Sequence, residues 1–159
     1  IEEYGGIRFG PKIAKQMKHN YKVLFSGDWS TMDEFGNHLE EQRKSDPSPD
    51  HYMLERKAAL YIQKTFSGFG PKQSRNFWQS LGLTRYEFVL DSRVLKWLRT
   101  IGFPLPLSSM ALGEEEYYCF VSDILRDWCI QTGVLPCILD AAIFSSYDTD
   151  EWPEDASVW

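Results

Sequence analysis

The sequence has little cysteine, no long apolar run and no excess of positive charge, and each shortage excludes something. Its three cysteines, Cys119, Cys129 and Cys137, are odd in number and widely spaced. They match neither a zinc pattern nor the four close ligands of an iron–sulfur site, so neither a metal nor another cofactor is expected. They fall in segments of helical apolar spacing and read as reduced, buried thiols of a cytoplasmic protein. No apolar run approaches the roughly 20 residues needed to span a bilayer. No basic stretch leads into an apolar one as in a signal peptide, and no membrane partner is expected. Ile1 stands where a methionine would open a natural chain, so residues upstream of it are expected. Neither a strand pair nor an internal repeat is visible.

What is present argues for one packed helical domain over residues 1–159. Hydrophobic residues make up 43% and aromatics 15% of the chain, and a chain of this length buries about two-thirds of its unfolded surface. A monomer is expected. The net charge of −6 works against binding nucleic acid, because neutralising phosphate supplies much of that affinity. The charge is unevenly placed, however. Residues 144–159 hold five acids and no Lys or Arg, and without them −6 becomes −1.

The spacing of apolar residues predicts an all-α fold of about seven helices. Residues 1–10 read as an arm or leading loop. A helix over 11–24 carries Lys12, Lys15, Lys18 and Lys22 on one face, either a phosphate-contacting stripe or a solvated surface. Ser30 and Asp33 read as a capping box opening a helix to residue 43. After the turn formers of 45–49, a helix over 49–66 is expected to bury Met53, Ala58, Leu60 and Tyr61. Gly82 is placed to end the following helix in the left-handed conformation. Asp91 reads as the N-cap of 92–101. Residues 113–133 and 136–146 read as the last two helices.

The chain is organised around Phe66-Ser67-Gly68-Phe69-Gly70-Pro71-Lys72, between helical segments over 52–64 and 71–81. Two glycines flanking one apolar residue predict a very tight connection through positive φ, and Pro71 suits the first helical position. The result is a helix hairpin whose second arm begins with outward N–H groups, an arrangement that attracts phosphate. Lys72 lies in that first turn. An amine there feels the positive end of the helix dipole, which disfavours the protonated form. Such a lysine can attack an electrophilic sugar carbon and form a Schiff base. Asp91 follows 19 residues later. It would orient the amine, shuttle protons or stabilise an oxocarbenium charge.

Gly68-Phe69-Gly70-Pro71-Lys72 followed by Val89-Leu90-Asp91 resembles the helix-hairpin-helix DNA glycosylase superfamily, in which a Gly-x-Gly-x-Lys hairpin precedes Val/Ile-x-Asp. The chain looks most like the archaeal-type 8-oxoguanine DNA glycosylase/AP lyases. Phe77 and Gly82 match the course of their lysine helix, and Ser92-Arg93 partly matches the basic pair after the aspartate. The segment 133–140 also resembles their last helix. The likeness is strongest over 52–98 and weaker to 147. It implies a bifunctional enzyme of base excision repair acting on double-stranded DNA with a damaged base, nucleoid-associated in a bacterium or archaeon. Lys72 would attack C1′, expel 8-oxoguanine and nick the strand by β-elimination. Asp91 would assist base departure, and Gly68, Gly70 and Arg93 would hold phosphate. Arg93 could equally form a surface ion pair. Phe69, Phe77, Trp78 and Trp97 are aromatics available to stack a flipped base, yet on helices such residues more often belong to the core.

One departure is clear. The short archaeal-type enzymes stop soon after the last helix, and their terminal carboxylate helps recognise the oxidised base. Here 13 residues follow Ser146, acidic and including Trp152 and Trp159. They read as a competitor for DNA, a pocket element or a free terminus. The alternatives are therefore a glycosylase for another purine lesion, a non-catalytic hairpin module that binds DNA, or an acidic protein-interaction domain. A module that only binds needs the glycines but neither Lys72 nor Asp91.

Overall fold

The computed structural model describes residues 9–147. The leading arm up to residue 8 and the acidic tail from residue 148, with Trp152 and Trp159, lie outside the described residues. Within them the chain is all-α, with no strand. Helix α1 (Gly10–Val23) passes through a π-helical turn at Leu24–Asp28 into α2 (Trp29–Lys44). A 3-10 turn, Pro49–His51, leads into α3 (Tyr52–Thr65), and α4 (Pro71–Ser80) and α5 (Ser92–Thr100) follow. A second 3-10 turn at Ala111–Gly113 precedes α6 (Glu115–Thr132) and α7 (Pro136–Ser146). Because α1 and α2 join without a loop, six helical bodies stand where the spacing predicts about seven, the first of them kinked at Gly27.

The join between α1 and α2 corrects the expected capping box. Ser30 lies inside α2, and its hydroxyl donates to the Gly27 carbonyl at 2.9 Å. Asp33 accepts from Asn37 one turn on rather than reaching back to an N-terminus. Gly27 takes up the bend at φ +132°, ψ −16°. Tyr61 on α3 then donates to the Asp28 carboxylate at 3.1 Å and fixes the elbow to the hairpin.

Two apolar clusters share the interior. Leu39 of α2, Ala58, Ala59 and Ile62 of α3, Phe66 and Trp78 form the first. The second joins Val94 and Leu98 of α5, Val121 and Leu125 of α6, and Ile143 of α7. Of the residues expected to be buried on α3, Ala58 is enclosed and Leu60 and Tyr61 are half-buried, but Met53 is 49% exposed. The buried face runs through Glu55, Ala58, Ala59 and Ile62 instead, the i, i+3, i+4, i+7 pattern of a helix stripe. A pattern of apolar residues alone misses it, because one member is a glutamate.

Glu55 is inside because it serves the irregular segment 84–90 between the two clusters. Its carboxylate accepts the backbone N–H groups of Arg85, Tyr86 and Glu87 at 2.8, 2.8 and 2.9 Å. Burial pushes its carboxyl up to about 7 against the pull of those three donors. Farther along, the Tyr118 hydroxyl accepts from Leu90 N–H at 2.8 Å and donates to the Phe88 carbonyl at 3.0 Å. Buried backbone must find partners, and here side chains supply them.

Glu87, within the same segment, is the centre of an ionic network. It accepts from Arg56 at 2.7 Å and from Arg75 at 2.7 Å. Arg75, 1% exposed, also pairs with Glu115 at 2.8 Å, and Arg126 pairs with Asp123 at 2.7 Å. The Tyr52 ring packs against the guanidinium groups of Arg56 and Arg126. Removing one partner of such a buried pair strands the others, at a cost of about 3–5 kcal/mol. Glu87→Gln should therefore lower the stability read by urea unfolding by about 3 kcal/mol or more. A loss under about 1 kcal/mol would show that the network does not hold the two halves together.

Candidate active site at the helix hairpin

The hairpin has the expected form but only half of the expected glycine chemistry. The chain leaves α3 through Phe66 in an extended conformation, φ −110°, ψ 135°. Gly68 then turns it at φ +91°, where a side chain is strained. Gly70 sits at φ −93°, ψ −175°, extended backbone open to any residue. A Cβ there would make only an ordinary 3.6 Å contact with Gln73. Positive φ is thus the business of Gly68 alone, which corrects the reading that both glycines need it.

Pro71 opens α4, no side chain caps that end, and Lys72 follows at the second position. Its first N–H groups have no helical acceptor, as at every helix start. Lys72 is half-buried, and among the described residues no ion pair includes it. Arg75, one turn later, is locked to Glu87 and Glu115. Of the two cations on this helix, Lys72 is the one left uncommitted.

Asp91 caps α5 as the sequence predicts. One carboxylate oxygen accepts the N–H groups of Arg93 and Val94 at 2.8 and 2.9 Å. The other lies 3.6 Å from the Arg93 guanidinium, which also stacks 4.0 Å above the Phe144 ring of α7. Arg93 is therefore an ion-pair partner of Asp91 in this structure. No hydrogen bond or ion pair joins Lys72 to Asp91.

Sequence reasoning missed Gln79 and Asp140. Gln79 lies seven residues beyond Lys72, hence on the same face of α4 about 10 Å along it. Its amide donates to the Asp140 carboxylate on α7. Burial, with the nearby charge of Asp91, pushes the Asp140 carboxyl up to about 6. Gln79 Oε1 is buried with no hydrogen-bond partner among the described residues. Gln79 thus holds Asp140 by a hydrogen bond, and Asp140 in turn feels the charge of Asp91 at the cap of α5. The available signal was a lone acid in the apolar run Cys137-Ile138-Leu139-Asp140-Ala141-Ala142-Ile143. Of the aromatics available to stack a base, Trp78 is buried, and Phe69, Phe77 and Trp97 are partly buried against the two clusters. Phe69, Phe77 and Trp78 pack edge-to-face in the hairpin cluster, and Trp97 packs against the second.

The hairpin loop is also held from the N-terminal side. The Asn20 amide of α1 donates to the Ser67 carbonyl at 2.9 Å and accepts the Ser67 N–H at 2.8 Å. The lysine stripe divides there. Lys12 and Lys15 line an open groove beside Ser67, while Lys18 and Lys22 are exposed outside it. A larger concavity, of about 730 Å³, is lined by Glu114, Glu115 and Glu116, a charge that repels phosphate.

The two glycines should separate on substitution. Gly68→Ala is expected to cost about 1–2 kcal/mol in unfolding free energy, from its positive φ, and Gly70→Ala to stay within about 0.5 kcal/mol. Equal losses would contradict the backbone geometry. Asp140 carries a pH signature. A carboxyl raised from 3.8 to about 6 favours folding most below its unfolded value, and the contribution is lost as pH rises through about 6. Relative to Asp140→Asn, the wild type should lose about 2–3 kcal/mol between pH 4 and 7, readable as a falling difference in Tm. A difference that does not change with pH would remove the raised carboxyl. No family model matches the sequence, and neither a curated protein nor a solved structure matches it.

Proposed function

We propose that the chain is a bifunctional DNA glycosylase/AP lyase that excises 8-oxoguanine from double-stranded DNA. The observation that carries this reading is the uncommitted Lys72 at the second position of a helix that follows a Gly68 turn, with Asp91 capping the next helix. Binding alone would need no amine there. In the proposed reaction the damaged nucleotide is flipped out of the duplex, and the hairpin amides hold the backbone phosphate. The Lys72 amine attacks C1′ as the N-glycosidic bond breaks and the base departs with a proton. Opening of the deoxyribose ring gives a Schiff base between Lys72 Nζ and C1′. Loss of a C2′ proton then breaks the C3′–O bond and nicks the strand 3′ to the lesion.

Asp91 supports this scheme through its position. One oxygen is tied to the α5 cap, and the other, 3.6 Å from the Arg93 guanidinium, is the one we assign to the positive charge developing at the sugar. Asp140 adds a second carboxyl whose proton is exchanged near pH 6, within electrostatic reach of the first. A glycosylase for a different purine lesion would use the same amine and carboxylate.

Borohydride trapping tests the mechanism. Wild-type protein with 8-oxoguanine duplex should give a covalent protein–DNA adduct, Lys72→Gln none, and Asp91→Asn at least about 100-fold slower trapping, the size of a lost acid–base contribution. Trapping of Lys72→Gln at the wild-type rate would sink the reading. Adduct formation with an abasic duplex but not with the 8-oxoguanine duplex would keep the lyase and reject the base.

A further inference from the structure

We propose that the groove between α1 and the hairpin loop is a second seat for DNA backbone, continuing the track that begins at the hairpin. It rests on the reading above and adds to it the residues that hold the neighbouring stretch of strand. The groove, of about 420 Å³, is lined by Lys12, Lys15, Gln16, His19 and Ser67.

Charge comes first. Helix α1 holds four lysines, one histidine and no acid, in a chain whose net charge is −6. Among the described residues neither Lys12 nor Lys15 takes part in an ion pair, although Lys44 on α2 pairs with Glu40 at 2.7 Å. Both are exposed, with no carboxylate of the described residues paired to them. A lysine ammonium on a flexible stem suits phosphate as a point charge.

Register comes second. A cationic surface helix that slid freely would give only diffuse attraction. This one is fixed to the hairpin by the reciprocal Asn20–Ser67 hydrogen bonds, 47 residues apart in sequence. Gln16 sits so near Gly68 that a Cβ on that glycine would come within 2.9 Å of its amide. Loop and helix are in contact, and the lysines of α1 keep a set distance from the hairpin amides. A strand gripped at the hairpin therefore passes Lys12 and Lys15 without rearrangement of the protein. A polyanion of another kind, such as an acidic polypeptide, would match the charge but not the adjoining phosphate grip.

The test is the salt dependence of binding to undamaged duplex DNA, which needs no chemistry at Lys72. Each phosphate contact contributes about 0.9 to the slope of log K against log salt. Lys12→Gln/Lys15→Gln should lower that slope by about 1.8 and weaken binding about 50-fold near 0.1 M salt. Lys44→Gln should change neither. If the wild type binds duplex DNA and the double variant keeps its slope and affinity, the groove is not a backbone seat, while the glycosylase reading stands. If the double variant loses affinity for polyglutamate and not for DNA, the groove takes an acidic polypeptide and the proposal is overturned. If the wild type does not bind DNA at all, both readings fail.

Discussion

The structure depends on an unfavourable passage of chain. Residues 84–90 cross the interior between two apolar clusters without helical hydrogen bonds of their own. Unpaired backbone in such a place would cost about 1–3 kcal/mol per group. Glu55 and Tyr118, from helices on opposite sides, supply the missing partners. Glu87 uses the same passage to bind Arg56 of α3 and Arg75 of α4. The end of the hairpin and the start of α5 are thereby tied to one rigid segment. The candidate site inherits its geometry from this arrangement, since Asp91 is the next residue after the passage and Arg75 lies one turn from Lys72.

How far this was legible in the sequence follows from the range of the forces involved. Local signals were read well. Gly82 ends its helix at φ +70°, Asp91 caps α5, and α7 spans the expected 136–146. Each rests on backbone chemistry within a few residues. The capping box failed although it too is local. Tyr61, 33 residues from Asp28 in sequence, holds the elbow, and α1 runs on through a π-helical turn without needing a cap. Glu55, Arg75 and Glu87 look like surface residues to any periodicity rule, because their burial depends on partners 12 to 40 residues away.

The candidate site divides along the same line. Lys72, Gly68 and Asp91 could be named because a short spacing carries them. Asp140 and Gln79 could not, since their meeting joins positions 61 residues apart. Gly70 does not have the positive φ expected of both hairpin glycines. Its backbone is extended, so its missing side chain leaves room beside the first turn of α4 and does nothing for the turn itself. Arg93 was placed between two roles, and in the structure it sits with Asp91 and Phe144.

Net charge gives a poor account of what this protein presents to a polyanion. The −6 total counts every cation as equivalent, yet the structure sorts them by chemistry. Arg56, Arg75 and Arg126 are engaged by Glu87, Glu115 and Asp123, a task that suits a planar guanidinium able to make two parallel bonds. Neither Lys12, Lys15 nor Lys72 forms an ion pair among the described residues, and all three lie on the helices that meet at the hairpin loop. The glutamates of the α6 N-terminus form a separate acidic face. Over a Debye length of about 8–10 Å, a bound strand would sense the lysines around the loop far more than the sum over the chain. An acidic chain can thus keep a locally basic face beside the hairpin, because Arg56, Arg75 and Arg126 are engaged in the carboxylate network while Lys12, Lys15 and Lys72 are in no ion pair among the described residues.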